Sequence, residues 1–125
     1  MRQILTILIL GILAGVTVMA QDQYSISRRR PVKFYEEARS EYAAGNMEEA
    51  RELLLKAIDK EPEFMEAMLL LADLYHSQEQ WEKEFDILKR SLEVDSTFYF
   101  PTYYNIGQAA YRTGQYDEAL KYLKK

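Results

Sequence analysis

A thirteen-residue stretch of this chain recurs twice at a nearly fixed interval, and that self-similarity limits the fold more than any other feature. Ala38-Arg-Ser-Glu-Tyr42-Ala-Ala-Gly45-Asn-Met47-Glu-Glu-Ala50 aligns with Gly107-Gln-Ala-Ala-Tyr111-Arg-Thr-Gly114-Gln-Tyr116-Asp-Glu-Ala119. A more degenerate copy lies between them, from Ala72 through Tyr75 and Trp81 to Glu84. Ala38 precedes Ala72 by 34 residues, and Ala72 precedes Gly107 by 35. A period of this length marks one supersecondary unit that cannot bury its apolar face alone and must stack on its neighbours.

Each copy carries two helical patterns. Phe34, Ala38 and Tyr42 recur at helical spacing, Gly45 interrupts, and Ala50, Leu54 and Ala57 follow before Pro62. Gly45 and Gly114 suit the left-handed position that closes a helix. Asn46 is placed to cap the next helix, with Glu49 in capping-box position. Pro62 cannot extend a helix, whereas Pro31 and Pro101 fit a first turn, where a missing N–H costs nothing. The pattern predicts helices over 31–44, 47–60, 64–77, 81–93, 101–113 and 116–124.

The small residues have a mechanical purpose. Helix axes about 8–10 Å apart leave little room at the crossing point. Ala38, Ala72 and Gly107 supply that room on the first helices, and Ala50, Ala57 and Ala119 on the second. Tyr42, Tyr75, Trp81, Tyr111 and Tyr116 are then expected to fill the volume between successive pairs.

Together these residues resemble the tetratricopeptide repeat: small residue, aromatic, Gly, aromatic, Ala, large apolar, Ala, Pro. The first and third copies match well. The middle copy departs at Glu79, Glu84, Ser91 and Ser96, where that pattern has Gly, Ala, Ala and Pro. The resemblance implies an all-α fold, an α-solenoid of stacked antiparallel helix pairs, with about three repeats (31–64, 65–99 and 100–125). The last is incomplete, since Lys125 falls within its second helix. Leu120 and Leu123 would then face no following pair, which raises self-association through this end, or a longer protein of which this chain is a fragment.

Residues 1–20 read as a secretory signal peptide. Arg2 precedes an uncharged apolar run, Ile4–Val18, and Val18-Met19-Ala20 offers a cleavage site before Gln21. An uncleaved membrane anchor is the alternative, although the run is short for a span and is weakened by Gly11 and Gly15. Residues 21–30 read as a polar linker ending in three arginines, and 31–125 as the repeat domain. The expected location is therefore the periplasm or outer membrane, in the cell envelope. The layout loosely resembles the N-terminal region of bacterial OmpA-like envelope proteins.

Several function classes fall away. The chain has no Cys and a single His, so thiolate metal sites, Cys nucleophiles and histidine clusters are excluded. Its net charge of −4, one unit more negative without Arg2, makes it a poor nucleic-acid binder. It has no Ser-His-Asp set, Gly-rich phosphate loop or HExxH motif, and its many acids fall on polar helix faces. The expectation is a protein–protein interaction scaffold, not an enzyme, with no cofactor, no metal and no small-molecule substrate. A structural oligomerisation module is the alternative.

In tetratricopeptide solenoids the first helix of each pair lines the concave surface. The resemblance therefore implies partner-binding positions at Tyr35, Arg39 and Tyr42 in copy one, and at Leu69, Asp73 and His76 in copy two. Copy three supplies Tyr104, Gln108 and Tyr111. Such a channel, rich in tyrosine, suits an extended or helical peptide. The basic clamp with which some relatives grip a C-terminal carboxylate has no counterpart, because the comparable places hold Tyr35, Leu70, Pro101 and Asn105.

Overall fold

The computed structural model describes residues 24–125, and the signal-peptide reading of residues 1–20 lies outside them. Six helices follow one another among the described residues: α1 (Arg29–Ala43), α2 (Met47–Lys60), α3 (Met65–Ser77), α4 (Trp81–Val94), α5 (Pro101–Arg112) and α6 (Tyr116–Leu123). They form three helical hairpins, α1/α2, α3/α4 and α5/α6, and the main contacts run between helices consecutive in sequence. The expected α-solenoid is what the chain adopts.

The three hairpin turns share one hydrogen-bond pattern. Gly45 N–H donates to Tyr42 O at 3.0 Å and Asn46 N–H to Glu41 O at 2.9 Å. Glu79 and Gln80 repeat this with His76 and Tyr75, and Gly114 and Gln115 with Tyr111 and Ala110. This is a Schellman closure, and it requires a left-handed residue. Gly45 (φ +84°) and Gly114 (φ +81°) adopt that conformation freely, whereas Glu79 is forced into it at φ +57°. The middle turn therefore keeps the register of the others despite lacking glycine.

Ser96, in place of the closing proline, is handled differently. Thr97 donates to Asp95 Oδ1 from both its N–H (3.0 Å) and its hydroxyl (2.9 Å), making an Asx turn after α4. Those bonds, the backbone one foremost, hold the Asp95 carboxyl below its ordinary range.

The expected capping box at Asn46 does not form. The Asn46 amide donates instead to Glu41 Oε2 at 2.6 Å, and no side chain bonds the first turn of α2. Glu41 stands one helical turn before the corner and offers the amide a charged acceptor.

The small residues lie where the helices cross: Ala38, Ala50 and Ala57 are fully buried, and Ala72 and Ala119 nearly so. Helix α3 is apolar around most of its circumference, with Met65, Ala67, Met68, Leu71, Ala72, Leu74 and Tyr75 all buried. Such a helix belongs in the middle of a stack. One core cluster joins α1, α2 and α3 around Leu54, Phe64 and Met68, and a second joins α3, through Ala72, to α4, α5 and α6 around Phe85, Leu88 and Ile106. Tyr111 and Tyr116 do not fill an inter-hairpin space as expected. Each is about 60% exposed, and they pack edge-on against each other at 5.3 Å. No further hairpin stands beyond them among the described residues.

The stretch read as a polar linker is docked over its described part. Tyr24 packs edge-on against Tyr35 and Phe64, at 5.4 Å and 6.2 Å. Ser25 donates its N–H and hydroxyl to the two oxygens of Glu66, and its Oγ accepts from Met65 N–H at 3.2 Å. That bond serves the start of α3, whose own N-cap residue, Phe64, has nothing to offer. Arg28 donates to Lys60 O at 3.1 Å at the end of α2, where a cation is favoured. Arg29 and Arg30 already belong to α1. Residues 24–28 thus clip the α2–α3 corner.

Candidate functional site

The first helices of the hairpins face a common groove of about 460 Å³. Tyr35 enters it from α1; Glu66, Leu69, Leu70, Ala72, Asp73 and His76 from α3; Glu84 and Leu88 from α4; Tyr99 and Asn105 from the far side. Of the residues singled out from the sequence, the structure brings Tyr35, Leu69, Asp73 and His76 together along this groove. Tyr42 adjoins them through its hydroxyl, which donates to Asp73 Oδ2 at 2.5 Å.

Arg39, Tyr104, Gln108 and Tyr111 do not line it. Arg39 is exposed, lies 5.9 Å over the Tyr35 ring and pairs with Glu36 at 3.6 Å. Tyr104 and Tyr111 are both 61% exposed, and Gln108 is half-buried.

Glu84 and Tyr99 are groove residues that were not among the predicted positions. Glu84 was legible only as a charged residue where the repeat pattern has alanine. Tyr99 precedes α5, where helical phasing says nothing.

Glu84 is the unusual member. It is 4% exposed, and its Oε1 lies 3.0 Å from His76 Nδ1 while Oε2 has no partner. Burial pushes its carboxyl up from the ordinary value; the His76 hydrogen bond and charge oppose this, as does Arg112, while the like charge of Asp73 reinforces it. His76 packs edge-on against Trp81 at 5.3 Å, and the Arg112 guanidinium sits 4.4 Å above the same indole.

Two tyrosines on this face resist ionisation. Burial raises Tyr35 above its ordinary value, and the bond to Asp73 is the main cause of the rise at Tyr42. Among the described residues no group of three metal-ligating side chains converges, and no helix is long and apolar enough to cross a membrane.

Stacked hairpins around a concave groove define the class: a short helical-repeat solenoid. The family follows from sequence. Models of the tetratricopeptide repeat match residues 35–96 and 100–125, together well over half of the chain, which therefore belongs to the tetratricopeptide repeat family. Among solved structures, the chain resembles the crystal structure of MamA with a TM-score of 0.69 and 23% identity, over 75% of this chain and 54% of that one. It thus spans about half the length of MamA. The second and first repeat domains of Spaghetti (RPAP3), each bound to the HSP90 peptide SRMEEVD, match with TM-scores of 0.68 and 0.67 at 14% and 16% identity. Those matches cover 77% and 76% of this chain, and 88% and 75% of theirs. At these identities the likeness is one of fold. No curated protein gives a significant sequence match.

Proposed function

We propose that this chain is an exported scaffold whose concave groove holds a peptide or protein partner in the bacterial cell envelope, without catalysis. One observation carries the reading. A single groove combines half-buried apolar surface (Tyr35, Leu69 and Leu70) with acidic groups at its centre, on helices whose outer faces are ordinary solvated surface. The leader-like residues 1–20 support export.

The Spaghetti repeat domains bind an acidic peptide on the same fold. Here Glu66, Asp73 and Glu84 line the groove, so a peptide ending in Glu-Glu-Val-Asp would meet like charge. The fold's mode of binding carries over more readily than its ligand.

A photo-crosslinking amino acid placed at Leu69 or Tyr99, both in the groove wall, tests the reading in cells. The expected result is the same partner adduct from both positions, absent when the probe replaces Leu55, which is exposed on α2. Adducts only from Leu55, or none from the groove, would overturn it. Mass spectrometry of the mature N-terminus checks export, with Gln21 expected as the first residue.

Exposure of Tyr116, Leu120 and Leu123 on α6 favours a second reading, self-association through this end. Light scattering across a concentration series separates the two, because Leu120→Glu lowers the mass only in the second.

A further inference from the structure

Glu84, which lines the groove, is a carboxylate more than nine-tenths buried, with one oxygen bonded to His76 and the other buried without a partner. A buried acceptor left empty costs free energy that a solvated surface acid would not incur. None of the nearby groups removes that cost. His76 occupies Oε1; Arg112 is stacked on Trp81 and takes part in none of the ion pairs among the described residues. Glu66 has both oxygens engaged by Ser25. Asp73 gives one oxygen to Tyr42 and sits close enough to Glu84 to raise the local negative charge.

We infer that the notch at Glu84 receives a basic side chain, arginine or lysine, from the partner held in the groove. The claim rests on the reading of the groove as the partner's seat and specifies what that partner must carry. A cation there would satisfy Glu84 Oε2, draw on Asp73, and lay its methylene stem along Leu69 and Leu88. Converging ligands for a metal ion are lacking among the described residues, and an anionic or apolar side chain would leave the orphan oxygen as it is. A charge-assisted pair formed in this desolvated place contributes more than one at the rim.

The test is a titration of ¹⁵N-labelled protein with N-acetyl-arginine methylamide, with the isosteric uncharged citrulline analogue as control. Shifts are expected to centre on the amides of Asp73, His76, Glu84 and Leu88. The arginine compound should bind at least about tenfold more tightly, a difference equivalent to about 1.4 kcal/mol. Glu84→Gln and Asp73→Asn, each checked for unchanged helicity by circular dichroism, should each bring the two ligands to within about threefold, that is about 0.7 kcal/mol. Asp73 is exposed, so its variant carries the test even if the other is poorly folded. Equal affinities in the parent protein, or a preference that survives in the folded variants, would overturn the inference. Groove crosslinks at Leu69 and Tyr99 that persist without any arginine preference sink this claim alone; loss of those crosslinks sinks the groove reading itself.

Discussion

Replacing Glu84 with glutamine should stabilise the protein, and by an amount that depends on pH. Gln keeps the volume and can still bond His76, but it carries no charge into the interior. The carboxyl of Glu84 is held above its ordinary value of 4.5, chiefly by burial. The folded state therefore binds the proton more tightly than the unfolded chain. Stability must then fall as pH rises from about 4.5 through the raised folded value, where the carboxyl ionises in place. Every tenfold increase in proton affinity on folding corresponds to about 1.4 kcal/mol of this loss.

The size of the effect follows from the surroundings. A buried polar group without a partner costs about 1–3 kcal/mol in mutational series. The His76 bond and the Arg112 charge oppose burial here, so the lower half of that range, about 1–2 kcal/mol, is expected. Urea unfolding of both proteins at unit intervals from pH 4 to pH 8 isolates the term, since all other acids cancel in the difference. The two should be nearly equal at pH 4, with Glu84→Gln ahead by about 1–2 kcal/mol at pH 8. A difference that is flat with pH, or that favours the parent as pH rises, would refute the account of Glu84 as a desolvated, half-bonded carboxylate.

Glu79→Gly should raise stability by about 0.5–1 kcal/mol in urea melts, because relief of about 1–2 kcal/mol of left-handed strain exceeds glycine's extra unfolded-state entropy. Ser25→Ala should cost about 1–2 kcal/mol by the same assay, since Met65 N–H loses its acceptor at the head of α3. At Gly107 an added methyl would sit 2.6 Å from Leu123 Cγ. Gly107→Ala gains about 1 kcal/mol of helix propensity but displaces Leu123, so global stability should change little while amides 122–125 exchange faster with deuterium.

The helices were legible because the chain punctuates them. Gly45, Gly114, Pro62 and Pro101 fix the corners, and the 34–35-residue period phases the rest, so each observed boundary falls within two residues of the expected one. What stayed hidden depends on contacts distant in sequence. Ser25 caps a helix 40 residues away, and no local pattern announces that. Tyr24 and Ile26 did alternate in a way that could have signalled docking, but they were outweighed by the polar and basic residues around them. Asn46 and Glu49 matched a capping box, yet Glu41 competed for the same amide. The groove was half legible: the family resemblance pointed to Tyr35, Leu69, Asp73 and His76 on the first helices, and these four line it. The resemblance missed Glu84 because an acid on an amphipathic second helix reads as solvated surface.

The departures from the repeat pattern all fall in the middle hairpin or the turn that follows it, and the packing explains how they are tolerated. Glu79 holds a left-handed turn without glycine, at about 1–2 kcal/mol, and Glu84 adds a half-bonded buried carboxylate. Ser91 is 1% exposed but satisfies its hydroxyl locally on Leu88 O at 2.7 Å, so it adds little. Opposing these costs is α3, where large side chains such as Met68, Leu71 and Leu74 each contribute about 1.5–3 kcal/mol of burial. Helix α6 has no such reserve, since only Ala119 is buried in it. The polar irregularity that shapes the groove therefore sits in the hairpin with the most apolar burial to offset it. Moving the same carboxylate to the equivalent place in the last hairpin, by Ala119→Glu, should unfold α6, whereas Glu84 is accommodated.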